Sequence, residues 1–452
     1  MRMQEERPPG TPVLRRMNRA AVLDAVRRQA PEPVRVAELA RLTELTRPTV
    51  AQAVEDLLAG GWLRQHAPQP AAVGRPATRF TLNGRATPVL GLDVGPHTVV
   101  AAVADLAAGG LAEIRRPVGH GDARHLLQAV DEAAQEALAI AGLTTDQVKA
   151  VTAATPGIVE AGTGRVLFAP SVPGWSEIDL AGRLRDRFRC AVTVENDADL
   201  AALAAARRHT GAGTLLAVQW GERLGAGVVI DGRLHRGAGQ AGEIGFIRPS
   251  GALPGTLGPP RLPGTPGSID PPRPPDAANS IGSARDSETV GRFGSDGLLE
   301  GRSDAGAATG GDGDGRGPLE RAIGAEAIVG LARRHAAAQP GSGLAALTDA
   351  AAVFTAAASG DALAAEVVDQ VAAVFAEAVA PAVLVLSPHA IVIGGGIARA
   401  GTVLLEAIVR HLEGLTLTAP RVELSELAEG TVLTGAIQMA LDEVWRHALA
   451  TC

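Results

Sequence analysis

Cysteine is almost absent from this chain of 452 residues. The two cysteines, Cys190 and Cys452, are too few for a disulfide framework or for a metal site of four thiolates, which fits a reducing compartment. The amino terminus has no basic segment followed by an apolar one, and no apolar run approaches 18 residues. We therefore expect neither export nor a membrane-spanning helix, and we predict a cytoplasmic protein.

Apolar residues make up 46% of the chain, so it can bury a large core and divide into two or three domains. Charge is unevenly distributed along it. Residues 1–88 carry 14 Arg and Lys against 8 Asp and Glu, a net charge of +6, and the overall charge of −7 leaves −13 for the rest. The basic end is the part that we expect to meet a polyanion such as nucleic acid.

Three helical patterns follow one another in the basic end. The first two are NRAAVLDAVRRQ, at 18–29, and VRVAELARLT, at 34–43. In the third, Thr46 is suited to cap the helix, Pro48 suits its first turn, and Gly60 ends it. The apolar spacing predicts a buried face that consists of Val50, Val54, Leu57 and Leu58.

The exposed amino-terminal end of the third helix carries polar side chains. Arg47, Thr49 and Gln52 lie there, where a recognition helix contacts base edges and phosphates. A tryptophan and a leucine, a loop with the sequence GRPA and the segment TRFTLN come next, an order typical of a two-stranded wing with Arg75 at its tip. We predict a winged helix-turn-helix DNA-binding domain over residues 1–86. A small helical docking domain or a dimerisation arm is the alternative.

The remaining residues, 87–452, alternate apolar strands with alanine-rich helices, which is typical of an α/β fold. Their motifs include GLDVGPHT, VTVENDADLAALAAARR, GAGVVIDGRLHRGAGQAGEIGF and HAIVIGGGIARAG. Together with the winged helix, these motifs resemble the ROK family of repressors, uncharacterised reading frames and sugar kinases, and especially its two-domain transcriptional regulators. The resemblance extends from about Leu14 to the carboxy terminus, apart from one insert.

The resemblance implies a two-lobed, actin-like and ribonuclease-H-like fold that holds a sugar and a nucleotide between its lobes. Kinase members use the aspartate of an Asn-Asp motif as general base on a sugar hydroxyl, and the pair here is Asn196 and Asp197. Glu243 of GEIGF and, across the insert, Glu320 are further implied sugar contacts. The carboxylate of Asp197 can instead simply accept a hydrogen bond from a sugar, or cap the helix that follows.

The resemblance also implies a nucleotide site, but both of its phosphate loops are altered. Gly-Gly-Thr-Lys of the kinases is replaced by GPHT, so Pro96 removes one amide donor and the lysine is lost. Gly-Thr-Gly is replaced by GER, and the carboxylate of Glu222 opposes a triphosphate. We therefore expect a poor or inactive kinase. The vestigial nucleotide positions are Asp93, Gly95, Gly225, Gly394 and Gly395.

The zinc ligands of the kinase relatives have no counterpart here. Phe246 occupies the position of a histidine ligand, and no cysteine lies between Cys190 and Cys452. We expect no structural zinc and no cofactor, with ATP and Mg²⁺ needed only if the chain is a kinase. The zinc loop is replaced by a Gly- and Pro-rich segment, 249–318, whose composition predicts disorder.

These features predict a DNA-binding transcriptional regulator, a repressor of carbohydrate genes, whose sugar-kinase-like domain senses a sugar or sugar phosphate. Its partners would be operator DNA, the small-molecule effector and further copies of the chain, as a dimer or tetramer. The main alternative is an ATP-dependent sugar kinase with an attached DNA-binding domain, in which Asp197 is catalytic. In a third interpretation the carboxy-terminal lobes bind no ligand and only dimerise the chain.

Overall fold

The structure is a computed structural model, and the residues that it describes are 11–67, 78–119, 122–209, 213–221, 223–249, 315–339, 343–427 and 430–451. Three of the sequence predictions fall on other residues. The wing tip at Arg75, the carboxylate of Glu222 and most of the insert, 250–314, lie outside the described residues.

The amino-terminal elements are three helices and two strands: α1 (Thr11–Gln29), α2 (Val36–Thr43), α3 (Arg47–Ala59), β1 (Leu63–His66) and β2 (Arg79–Leu82). The strands pair antiparallel, which confirms the winged helix. The first two helix boundaries differ from the prediction. The first helix starts at Thr11 rather than at residue 18, and the second starts two residues late because Val34 exchanges backbone hydrogen bonds of 2.9 and 2.8 Å with Phe80 of β2. Val34 therefore belongs to the wing sheet.

Helix α3 begins as the sequence predicts. The hydroxyl of Thr46 accepts a hydrogen bond from the backbone N–H of Thr49, at 3.4 Å, and Pro48 lies in the first turn. Val50, Val54 and Leu57 are buried, and Leu58 is partly buried against the same core. Because this apolar side faces the core, the opposite side of the helix is exposed.

The first lobe contains one sheet, a small hairpin and two helices. Their bounds are β3 (Val89–Val94), β4 (Thr98–Ala104), β5 (Gly110–Pro117), α4 (Ala123–Ala141), β6 (Ala150–Thr155), β7 (Ile158–Val159), β8 (Val166–Phe168), α5 (Leu180–Phe188) and β9 (Ala191–Asn196). The sheet has the order β5-β4-β3-β6-β9, while β7 and β8 pair separately. Strands β3, β4 and β5 are antiparallel, whereas β6 and β9 run parallel to β3.

The second lobe repeats this arrangement. Its elements are α6 (Asp197–Arg208), β10 (Thr214–Trp220), β11 (Leu224–Ile230), β12 (Arg233–His235), α7 (Pro318–Ile323), α8 (Ala325–Ala338), α9 (Ala350–Ala358), α10 (Ala362–Leu386), β13 (Ala390–Gly394), α11 (Thr402–Glu413) and β14 (Arg421–Leu424). The last helix, α12 (Thr431–Thr451), returns to the first sheet. The strand order β12-β11-β10-β13-β14 matches that of the first sheet, with the same antiparallel and parallel pairs. Two sheets of one order confirm the predicted two-lobed, ribonuclease-H-like architecture.

The end of the predicted insert is more ordered than its composition suggests. Residues 315–318 are described: the guanidinium of Arg316 pairs with Glu326 at 2.5 Å, and Pro318 opens α7. The prediction of disorder up to residue 318 is therefore wrong for these last positions, since they begin a helix that packs into the core.

Helix α10 is long and apolar enough in composition to cross a membrane, which the prediction of no membrane-spanning helix did not anticipate. Its apolar window is 61% buried within the protein. Val371, Phe375 and Val379 lie in the core of the second lobe, and the Phe375 ring stacks on Trp220 with centroids 4.6 Å apart. Helix α10 is accordingly a core helix of this lobe.

Helices α6 and α12 join the parts of the molecule. Helix α6 packs on β10 and β11 of the second sheet, α12 packs on β3 and β6 of the first, and the two helices pack against each other. A Cβ atom built on Gly435 of α12 would lie 1.9 Å from the carbonyl oxygen of Leu200 in α6, so the close contact requires glycine.

The winged helix shares a hydrophobic core with the far end of α12. Leu441, Val444 and Trp445 of α12 are buried in the same cluster as Val22 and Val26 of α1. One helix therefore contacts both α6, which follows the Asn-Asp motif, and the helix that precedes the recognition unit.

Candidate ligand cleft and nucleic-acid interface

The Asn-Asp motif and the aspartate of GLDVG lie at one edge of the first sheet. Strands β3 and β9 both run parallel to β6, so their carboxyl ends meet there. Asp93 is the penultimate residue of β3, Asn196 is the last residue of β9, and Asp197 is the first of α6. The fold thus assembles these side chains from segments about a hundred positions apart in sequence.

Asn196, rather than Asp197, caps α6. Its side-chain oxygen accepts hydrogen bonds from the backbone N–H groups of Ala198 and Asp199, at 2.8 and 3.2 Å, and its amide donates to the carbonyl of Gly157 at 2.8 Å. The alternative interpretation of Asp197 as the cap is wrong, because the helix starts one residue earlier than that role requires, at Asp197 itself. The carboxylate of Asp197 is left at the edge of the cleft.

Burial and like charges raise the pKa values of both aspartates. Burial raises the pKa of Asp197 to about 6. Hydrogen bonds from backbone N–H groups, including that of Ala198, and the charge of Arg223 oppose this shift. Burial and the neighbouring Asp197 raise the pKa of Asp93 to about 7, although Arg115 opposes the shift. The two carboxylates therefore interact across the edge of the sheet.

Glu243 and Glu320 complete the acidic group. Burial, followed by the charges of Asp197 and Glu320, raises the pKa of Glu243 to about 7. Glu320 is buried, and its two carboxylate oxygens accept hydrogen bonds from the backbone N–H groups of Leu224 at 2.9 Å and Gly317 at 2.8 Å. Those bonds give Glu320 a structural role at the start of α7, and its predicted contact with sugar stays a prediction.

A small cavity beside the motif brings in three residues that the sequence analysis missed. Glu195, Asp199 and Arg236 line it together with Asn196 and Glu243. Glu195 and Asp199 flank the Asn-Asp pair and Arg236 precedes GAGQAGE, so all three stand inside motifs already identified. The sequence does not show that these residues share a cavity, because they meet only when the paired strands β11 and β12 pack against α6.

In each altered phosphate loop one backbone amide is engaged internally. The N–H of Gly95 donates to the carbonyl of Thr98, and that of Gly221 donates to the carbonyl of Arg223, both at 2.9 Å. These two donors are engaged in tight turns instead of facing a phosphate. Gly225 packs on α6, with a built Cβ 3.2 Å from that of Ala198.

The glycine turn after β13 has a packing role. Gly395 has a φ of 80°, and a Cβ atom there would lie 2.5 Å from the carbonyl oxygen of Trp220; one at Gly394 would lie 2.8 Å from the side-chain oxygen of Gln219. The turn therefore approaches β10 more closely than a larger residue permits.

Phe246 occupies the position at which a zinc ligand is predicted to be missing, and the absence of zinc stays a prediction. Phe246, which is 39% exposed, stands where the kinase relatives carry a histidine, and its ring offers no ligand atom. Within the described ranges, no three His, Cys, Asp or Glu side chains are grouped so that they could hold a metal ion.

The predicted DNA contacts lie together at the amino-terminal end of α3. Arg47 and Gln52 are exposed and Thr49 is partly exposed. The hydroxyl of Thr49 bonds that of Thr46 at 2.8 Å, and the Gln52 amide donates to Asp56 at 3.1 Å. The free backbone N–H groups of the first turn, at the positive end of the helix dipole, are suited to bind a phosphate.

A larger cavity, of about 610 Å³, lies at the other end of α6. Its wall includes Arg207, His209, Asp231 and Asp442, and none of the predicted ligand residues. Size alone does not identify the functional cleft here, because the carboxylates with displaced pKa values lie elsewhere.

Comparison with known proteins assigns the two parts of the chain. The model of the ROK family matches residues 89–443, which is most of the chain. The chain belongs to the ROK family. The MarR family model matches residues 14–71, which include most of α1 and all of α2, α3 and β1. Residues 72–88 fall between the two matches, so the domain boundary after residue 86 stays a prediction.

Individual ROK relatives include both kinases and repressors. A glucokinase of Halalkalibacterium halodurans is 29% identical over 59% of this chain and 66% of its own. A xylose repressor of Caldicellulosiruptor bescii is 25% identical over 46% of this chain and 53% of its own. This chain therefore spans between half and two thirds of these relatives.

A solved ROK transcriptional regulator, described as a homologue of the Escherichia coli Mlc protein, has a similar fold. It superimposes with a TM-score of 0.67 at 21% identity and covers 97% of this chain and 100% of its own. The likeness confirms the combination of a winged helix with a two-lobed sugar-kinase-like domain.

Proposed function

We propose that this protein is a DNA-binding transcriptional regulator, a repressor of carbohydrate genes, whose operator affinity depends on a sugar or sugar phosphate in the cleft. One observation carries the proposal: α12 packs on α6, which starts at the ligand motif, and its far end lies in the core of the winged helix. The relative named as a xylose repressor and the solved ROK regulator support the same assignment.

The proposed mechanism needs two arrangements of the chain, between which α6 and α12 move together. A ligand that accepts and donates hydrogen bonds at Asn196, Asp197 and Glu243 acts on the start of α6. It shifts operator binding only to the extent that it binds the two arrangements with different affinity, and DNA shifts ligand binding by the same factor. The close contact of Gly435 with Leu200 leaves little room for independent movement of the two helices.

DNA binding is assigned to the start of α3 together with the wing. Two copies of the chain would place two such helices on paired half-sites, which raises specificity, so a dimer or a dimer of dimers is the proposed assembly. The proposal requires neither zinc nor ATP, because the ligand residues are carboxylates and an amide that bind hydroxyl groups directly. It places the protein in the cytoplasm, where its DNA lies.

The test is a fluorescence-anisotropy titration of the full chain with the DNA upstream of its own gene. It is run at two salt concentrations against random DNA of equal length. Saturable binding that exceeds random DNA and weakens with salt supports the proposal. Equal affinity for both DNAs, at both salt concentrations and across several upstream fragments, would overturn the assignment of α3.

An ATP-dependent sugar kinase is the second candidate. It is favoured by Asp197, whose raised pKa of about 6 suits a general base and whose charge interacts with that of Asp93, beside the first phosphate loop. It is opposed by Pro96 and by the internal hydrogen bonds of Gly95 and Gly221. Transfer of the γ-phosphate of ATP to any sugar, lost in Asp197→Asn, would establish it.

A ligand-free dimerisation scaffold is the third candidate. It predicts that no sugar raises the melting temperature, because only a ligand that binds the native state stabilises it by mass action.

A further inference from the structure

The side-chain amide of Gln52 is oriented by a carboxylate one turn further along α3. Its Nε2 atom donates a hydrogen bond to Oδ1 of Asp56, at 3.1 Å. A carboxylate accepts hydrogen bonds and donates none, so the reversed amide, with its oxygen toward Asp56, would bring two acceptors together. The pair therefore fixes which atoms of the Gln52 amide face away from Asp56.

Asp56 is itself held from a second helix. Its other oxygen, Oδ2, lies 3.7 Å from Nη1 of Arg19 in α1, and the side chains of Arg19 and Asp56 are only 30% and 26% exposed. Helix α1 packs against α3, and Val22 of α1 lies in the same core as Val50 of α3. The carboxylate that orients Gln52 is thus placed between two packed helices.

Gln52 lies where a recognition helix meets base edges. It is exposed in the second turn of α3, on the side opposite to the buried Val50 and Val54. Side chains near the amino-terminal end of such a helix reach into the major groove of DNA. The amide therefore faces the groove with an orientation that is set before DNA binds.

We propose that Gln52 reads an adenine of the operator and that Asp56 is the positioning residue that selects adenine. With one N–H group donated to Asp56, the amide presents one donor and one acceptor to the groove. Adenine has the matching pair, the acceptor N7 beside the donor amino group on C6, whereas guanine presents two acceptors there. The inference rests on the proposed function and narrows its DNA ligand to operators with an adenine at this position.

The carboxylate of Asp56 has a further effect that favours this interpretation. A negative group beside DNA weakens the binding of every sequence, because it opposes the phosphates. An unconstrained glutamine amide could instead turn both N–H groups toward guanine. Asp56 therefore lowers general affinity and removes a competing base, which is how a binding surface gains specificity.

The test begins with selection of binding sites from randomised DNA by the full chain, as the wild type and as Gln52→Ala. The position at which only the wild type shows a base preference should be an adenine. That adenine is then replaced by 7-deazaadenine, which lacks the N7 acceptor. We expect the wild type to bind roughly tenfold more weakly to the modified DNA, and Gln52→Ala to bind both DNAs alike.

The outcomes separate this inference from the proposed function. A preference for guanine, cytosine or thymine at that position, or no position that depends on Gln52, would overturn the inference while the regulator stands. Equal binding of both DNAs by the wild type would overturn it as well. If the wild type selects no sequence over random DNA, the proposed function itself fails and the inference falls with it.

A charge-matched pair of variants tests the role of Asp56. The amide of Asp56→Asn can donate as well as accept, so Gln52 can turn and the preference for adenine over guanine should fall by roughly tenfold. Glu55→Gln is the control, because it removes the same charge from an exposed side chain of the same helix. Both variants should bind all DNA more tightly, but Glu55→Gln should keep the preference.

Two results would contradict the positioning role. One is an unchanged preference in a folded Asp56→Asn protein, and the other is an equal loss of preference in Glu55→Gln. If Asp56→Asn does not fold, the measurement with 7-deazaadenine on the wild type still tests whether Gln52 reads adenine.

Discussion

The guanidinium carbon of Arg27 in α1 lies 5.3 Å from the ring centroid of Trp445 in α12. The ring is buried, at 6% exposure, in the cluster that also contains the apolar side of α1. A cation above an aromatic face adds about 0.5–1 kcal/mol at such a partly exposed site, and the burial of the ring adds more. The pair therefore fixes the winged helix against the carboxy-terminal helix.

Trp445→Ala tests this junction. Loss of the ring from a packed core should cost about 3–5 kcal/mol of unfolding free energy and should weaken operator binding, because the support of α1 is lost. Denaturant unfolding and DNA titration measure the two effects. Leu417→Ala, at a side chain 97% exposed, is the control and should change neither by more than about 0.5 kcal/mol. Normal stability in Trp445→Ala would refute the shared core.

Gly435→Ala tests the contact between α12 and α6. The added Cβ would lie 1.9 Å from a backbone oxygen, so the helices must move apart; we expect a loss of about 1–3 kcal/mol and a smaller effector response. Gly330→Ala in α8 is the matched control, since it also replaces a helical glycine. The atom nearest to its added Cβ is a side-chain nitrogen of Arg334, 3.5 Å away, which is an ordinary contact distance. A Gly435→Ala protein as stable and as responsive as Gly330→Ala would show that the close contact of α12 with α6 is not needed.

The recognition surface predicts two different kinds of DNA defect. Gln52→Ala should relax sequence preference at one base pair by about 1–3 kcal/mol, because an amide can read a base edge. Arg47→Ala should weaken all sequences alike and lower the salt dependence, as the loss of a phosphate contact does. Arg410→Ala, on the surface of α11, serves as the charge control. If neither Gln52→Ala nor Arg47→Ala alters the binding of operator variants, this surface of α3 is not the DNA contact.

The pH dependence of stability tests the buried carboxyl of Asp199. Its native pKa of about 8 exceeds the ordinary value of 3.8, so the native state keeps a proton that the unfolded chain releases. The resulting stabilisation is complete below about pH 4 and is lost as the pH rises to about 8. Asp199→Asn cannot titrate, so the melting temperature should fall less between pH 5 and 8 than in the wild type or in the control Glu132→Gln, which removes a carboxylate from an exposed pair with Arg116. An equal fall in all three proteins would contradict the assignment.

Local sequence signals were sufficient to predict the winged helix. The cap at Thr46, the proline after it and the apolar spacing of α3 all act within one helix, so a single stretch of sequence contains them. Val34 departed from its predicted helix because a partner 46 positions away, Phe80, supplies its hydrogen bonds. Such a partner becomes visible only once the wing has folded back.

The ligand cleft could be predicted only in part. The Asn-Asp motif and Glu243 came from the resemblance to a family, while Glu195 and Arg236 meet across 41 positions and carry no signal of their own. Which of Asn196 and Asp197 caps α6 depends on where β9 ends, since both residue types cap well. The junction of α12 with α1 and α6 likewise depends on the duplicated fold rather than on the apolar pattern of α12.

The most direct test of the central claim measures operator affinity by fluorescence anisotropy, with and without the responsive sugar, for the wild type and for Asp197→Ala. We expect sugar to weaken or strengthen operator binding of the wild type by about 5- to 150-fold, as linked sites typically do. In Asp197→Ala, sugar-free operator affinity should be retained and the shift lost. Equal loss of operator binding and sugar response in the variant, or a full shift that persists in it, would contradict a sugar-sensing role for this cleft.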